Sequence, residues 1–162
     1  MRYTLYALAL LRLLIGLTGC TFEFENIDLK GGQLLYSDQG DRINYALVRH
    51  VLCDVWETHY NVLASDCETE LGDLRIVETP GLIPCMSGGT CYGLIHDQRI
   101  VYVDVDHSLP EKLVWQIAIH EYLHRLCCIT FDGDSDHDHI RDDVWFDEPT
   151  SVGSEALADL GF

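Results

Sequence analysis

Positive charge is the scarcest property of this chain. Ten Lys and Arg stand against 27 Asp and Glu, a formal net charge of −17 over 162 residues. Nucleic acid, or an anionic lipid surface gripped by basic side chains, needs the opposite sign, so both drop out as partners. Methionine is scarce as well, with two in the chain and none after Met86. No internal repeat is visible and no CxxC pair occurs, which argues against solenoid folds and against a thiolate zinc site. Neither proline nor glycine interrupts the stretch between Pro110 and Cys128, so a long helix is free to form there. Long apolar runs are missing too. The one candidate, Leu5 to Leu17, is broken by Arg12 and Gly16 and is too short for a stable membrane span.

That run reads as an export signal over residues 1–19, with Arg2 ahead of it. Leu17-Thr18-Gly19-Cys20 resembles the lipobox at which bacterial lipoproteins are cut and acylated on the new N-terminal cysteine. The resemblance implies an exported protein held to a bacterial membrane by lipid on Cys20, on the periplasmic or extracellular face. Thr21, in place of aspartate, does not favour inner-membrane retention in proteins of that kind. Cleavage would leave 143 residues (162 minus 19), with 8 basic against 27 acidic side chains and a net charge of −19. The acyl chains alone would then anchor it, since no basic patch assists. Residues 20–162 have the length of one domain with one modest core.

Six cysteines follow Cys20, and an even number in a small exported domain predicts disulfides. Cys85 and Cys91 bracket a short loop and are expected to pair. Cys127 and Cys128, being neighbours, are expected to reach different partners such as Cys53 or Cys67.

The apolar pattern predicts a short strand at Gln33–Tyr36 and a helix from Arg42 to about Tyr60, capped by Asp41, with Ile43, Leu47, Val51 and Val55 on one stripe. Residues 61–72 read as an acidic loop. Asp73–Thr79 reads as a strand stopped by Pro80-Gly81, and Tyr92–His96 and Arg99–Val105 as two strands around the tight turn Asp97-Gln98. Ser108-Leu109-Pro110-Glu111 has capping-box spacing and predicts a helix starting near Leu109. Two apolar rows run along that helix, Leu113, Ile117, His120, His124 and Trp115, Ile119, Tyr122, Leu126, so it is expected to be buried. The fold class is α+β: a small mixed sheet, a long helix and a second, buried helix.

On the buried helix lies His120-Glu121-Tyr122-Leu123-His124. Residues four apart share a helix face, so the two imidazoles can meet one ion. Glu121, turned about 100° from His120, is free to act on water instead of ligating. An unpaired imidazole in a core-facing row would be costly, and a metal would satisfy it. From Arg99 to about Trp145 the chain resembles the zincin metallopeptidases, whose active-site helix carries this HExxH motif. The resemblance implies a zincin-like minidomain in which the last strand, here Arg99–Val105, lies along the cleft as an edge that pairs with peptide. It implies Zn2+ as cofactor, Glu121 as general base towards a zinc-bound water, and a peptide or protein substrate.

The third ligand must come from beyond Cys128. His137 is favoured, because a helix exit and a glycine-bearing loop can return it to the metal; His139 and Glu155 are the alternatives. Glu155 falls in an ExxxD pattern with Asp159, which resembles the gluzincins. The metzincin HExxHxxGxxH is not met, since Cys127 stands at the glycine, Thr130 at the third histidine, and no methionine follows for the later turn. Asp136, Asp138 and Asp159 could support ligand imidazoles. His139 or Tyr122 could donate to an oxyanion, with Tyr122 better suited to the core. Asp132, Asp134, Asp136 and Asp143 also mimic the spacing of a calcium loop, although His137 stands where that loop needs glycine, so structural Ca2+ is a second cofactor expectation. A non-catalytic zinc- or calcium-binding lipoprotein is the alternative function.

Overall fold

A computed structural model of the chain describes residues 32–35, 38–85, 89–134 and 139–162. The export signal, the lipobox with Cys20, and His137 with its neighbours Asp136 and Asp138 lie outside the described residues. The described elements are β1 (Gln33–Leu34), α1 (Tyr45–Tyr60), α2 (Ala64–Gly72), β2 (Arg75–Thr79), β3 (Ile83–Pro84), β4 (Thr90–Cys91), β5 (Gly93–His96), β6 (Ile100–Asp104), α3 (Glu111–Thr130) and α4 (Val152–Asp159). Helix and strand mix as expected of an α+β protein. Among the described residues no helix is long and apolar enough to cross a membrane.

The main sheet runs β1-β2-β6-β5, with β2 and β6 parallel and the flanking strands antiparallel to them. Strands β3 and β4 form a separate antiparallel pair. The β5–β6 hairpin forms where predicted, and Asp97 and Gln98 both take positive φ (51° and 54°), the handedness that matches strand twist in a two-residue turn. Strand β6, however, is not the edge. It lies between β2 and β5, and β5 is the edge strand beside it. A hairpin partner can be inferred from neighbouring residues, whereas a parallel partner arrives by a crossover that leaves no local trace.

Helix α1 starts three residues later than predicted. Asn44 is its cap, accepting from the Leu47 amide at 3.0 Å. Asp41 is taken elsewhere: its amide donates to the Glu78 carboxylate at 3.0 and 3.2 Å, and its carboxylate pairs with His107. Glu78 is itself buried and also accepts from the Tyr45 hydroxyl at 3.1 Å, so the start of α1 is tied to β2 through a satisfied charge.

Residues 64–72 form a helix, not the expected loop. Cys67 and Leu71, one turn apart, point into the core, and Cys67 is bonded to Cys53 of α1. Two inward positions in nine residues leave too little pattern to read, and the disulfide supplies the anchor. It also corrects the pairing expected of Cys127 and Cys128, since Cys53 and Cys67 bond each other. Cys85 and Cys91 pair as expected.

Helix α3 is the centre of the molecule: it packs on β5 and β6 and is touched by α1, α2 and α4. Between Ile117 and Cys128 only His120 and Arg125 are not buried, which agrees with apolar rows on both sides. Each fully buried leucine, such as Leu123 or Leu126, contributes about 1.5–3 kcal/mol. The expected capping box does not form. The Ser108 amide donates to Asp106 at 2.7 Å, Pro110 caps without a side-chain bond, and the helix begins at Glu111. Arg42 holds the preceding loop, donating to the Asp106 and Leu109 carbonyls at 2.6 and 2.8 Å.

Candidate metal centre

One turn of α3 places the Nε2 atoms of His120 and His124 3.2 Å apart. The helix ends at Thr130, and its last turn is closed by the Phe131 and Gly133 amides bonding to the Cys127 and Cys128 carbonyls at 2.8 Å each. Asp132 and Gly133, with φ of 53° and 93°, turn the chain back. His139 then brings its Nε2 to 3.4 Å from that of His124, and the ligand atoms of the three imidazoles all lie within 4.8 Å of one another. Ligands about 2.0–2.1 Å from a tetrahedral ion stand about 3.3–3.4 Å apart, so the two measured separations fit. Three ring nitrogens facing one another suit a cation better than themselves, because at most one proton can sit between any pair.

The returning loop is pinned at several points. The Arg141 guanidinium lies 3.7 Å over the Phe131 ring and 3.6 Å from Asp134. Tyr60 donates to Asp143 at 2.6 Å, and the Val152 amide bonds to the Asp143 carbonyl at 3.0 Å, fastening the segment to the start of α4. His139 has a φ of 54°, a left-handed conformation rare for a residue with a side chain. Such strain gathers where a side chain must be presented in a given direction.

Beside His120, the Glu121 carboxyl is buried against β5. Gly93 makes the room: a Cβ there would come 2.5 Å from Glu121 Oε1 and 2.8 Å from Ile117 Cγ2. Burial pushes the Glu121 carboxyl up to about 8, while a hydrogen bond from the Ile95 amide pulls the other way. A cation held by the neighbouring imidazoles would favour the ionised form. Glu121 and His120 face a cleft of about 340 Å³ walled by Tyr92, Gly93, Leu113, Gln116, Ile117 and Phe146. Apart from Glu121, no Asp, Glu, Lys or Arg side chain among the described residues lines it.

Of the residues singled out in the sequence, His120, Glu121, His124 and His139 come together. His137 lies outside the described residues, so among those described His139 is the third imidazole. Glu155 is not in the group; its carboxylate is 3.0 Å from His59. Asp159 is exposed on α4, and Tyr122 is fully buried in the core. Of the expected calcium loop, Asp136 lies outside the described residues; of the others, Asp134 pairs with Arg141 and Asp143 with Tyr60. Gly93 was not foreseeable, because it belongs to no spacing pattern and acts through a contact across the fold. No family model matches the chain, and neither the curated proteins nor the solved structures contain a match to it.

Proposed function

We propose that the protein is a zinc-dependent peptidase of the zincin type. The observation that carries this reading is the convergence of three imidazoles whose ligand atoms lie within 4.8 Å of one another, with a buried carboxylate from the same helix turn facing the adjoining cleft. His120, His124 and His139 would hold the ion. When bound, zinc supplies Lewis acidity, making water acidic enough to attack near neutral pH and polarising a carbonyl oxygen.

The chain's own residues supply the rest. The Glu121 carboxylate accepts the proton of the attacking water and delivers it to the departing amine, and its low-dielectric surroundings suit a group that must both take and give a proton near neutral pH. Strand β5 offers a docking edge. The Tyr92 carbonyl accepts from Asp104 of β6, so by strand alternation the backbone groups of Gly93 and Ile95 face away from β6. Ile95 gives its amide to Glu121, and Gly93, at the cleft, can receive an extended peptide. A parallel pair flanked by an antiparallel edge strand and followed by the motif helix supports a zincin-like minidomain. The disulfides suit an oxidising compartment and so agree with export.

The test is metal content and peptide hydrolysis in four proteins. Wild type should bind one zinc and cleave peptide. Glu121→Gln should keep the zinc and lose about 10²–10⁴-fold in rate. His139→Ala should lose zinc, and His137→Ala should keep both zinc and activity. Zinc binding without peptide hydrolysis in the wild type would favour the non-catalytic metal-binding lipoprotein instead, and unchanged hydrolysis in Glu121→Gln would rule out Glu121 as the base.

A further inference from the structure

Trp145 touches every member of the histidine group. Its ring centroid lies 4.9 Å from that of His120, 4.8 Å from His124 and 4.3 Å from His139, and it is almost fully buried. The indole is inclined to the three rings by 43°, 54° and 49°, stacked flat on none of them. The imidazoles themselves are not threefold, since His120 stands at 88° to both His124 and His139 while those two lie at 29° to each other, yet the indole reaches all three. The indole is fixed from behind: the Gly153 amide bonds to the Val144 carbonyl at 2.9 Å, and a Cβ at Gly153 would come 3.1 Å from the Phe146 ring.

The three imidazoles are not equally self-supporting. His120 and His124 are held by a buried helix, while His139 is exposed, comes from a loop and has a left-handed backbone. The closest of the three indole contacts is the one to His139. An ordered apolar surface at that ring restricts its rotamers before any ion arrives, which lowers the entropy lost on binding. Once an ion is bound the imidazoles carry part of its charge, and an indole face is the best aromatic surface for a cation.

We propose that Trp145 is the positioning residue of the metal centre, a fixed aromatic plate that aligns His139 with the helical pair and so sets the affinity for the ion. This rests on the three histidines holding a metal and not on the protein being a peptidase. Zinc affinity would be measured by chelator competition in the wild type and in Trp145→Phe, Trp145→Leu and Trp145→Ala. Supporting the proposal, Phe stays within about threefold of wild type, while Leu and Ala weaken binding about 10–100-fold, the loss typical when a ligand's orienting partner is removed. Co2+ titration gives a second readout: wild-type tryptophan fluorescence is quenched on binding, and most of that quenching disappears in Trp145→Phe although the ion still binds. Trp115→Phe, altered where that indole packs on Phe162, controls for general destabilisation and should keep both affinity and quenching. Wild-type affinity in Trp145→Leu or Trp145→Ala, or full quenching in Trp145→Phe, overturns the proposal. Wild type that binds no zinc overturns the metal reading itself, and this inference with it. If Ala does not fold, the Leu and Phe comparison decides.

Discussion

At the scale of single residues, the site depends on what one glycine leaves out. Gly93 gives Glu121 the space to lie against β5, and a methyl group there would meet the carboxylate oxygen at 2.5 Å. Gly93→Ala should therefore keep its zinc, because no ligand moves, and lose about tenfold to a hundredfold in peptide hydrolysis through displacement of the base. Overpacking should also lower its stability by about 1–3 kcal/mol. Metal analysis beside a fluorogenic peptide assay checks this, and loss of zinc in the variant would count against it. The pair His120 and His124 was legible because a helix repeats every 3.6 residues and four-residue spacing has one geometric meaning. Choosing between His137 and His139 had no such basis. A loop has no period, and only the paths of Phe131, Arg141 and Asp143 bring His139 to the other two rings.

Elements were legible where the pattern was long. Helix α3 was readable from its uninterrupted apolar rows, and the β5–β6 hairpin from two short runs around Asp97-Gln98. Helix α2 was not, because its nine residues contribute only Cys67 and Leu71 to the core and its anchoring is covalent. The consequence is measurable. Removing the disulfide with Cys53→Ala and Cys67→Ala should cost about 3 kcal/mol, as expected for a closed loop of this size, with a lower urea midpoint. Caps err in the same way. Asn44, not Asp41, starts α1, because a cap is decided by which side chain the tertiary contacts leave available. Asn44→Ala should cost about 1 kcal/mol in the same assay, whereas the sequence reading would have put that loss at Asp41.

For the whole molecule, the excess of acids is the dominant property. With a formal charge of −17, the folded state carries self-repulsion that salt should relieve. Tm should rise as ionic strength increases from about 0.01 to about 1 M, over which the Debye length falls from about 30 to about 3 Å. Chelation should act in the opposite direction. An ion at about 100 times its Kd stabilises by about 2.7 kcal/mol, so EDTA should lower Tm and zinc restore it, by calorimetry. Composition and periodicity alone determined the charge, the mix of helix and strand, the buried helix and the two imidazoles on it, because each of these is a local or additive property of the chain. Tertiary structure decided the edge strand, the partner of Cys53, and the placing of His139 and an indole beside the helical pair. Those depend on residues distant in sequence meeting in space, and pairings of that kind are selected by the packing of the whole core.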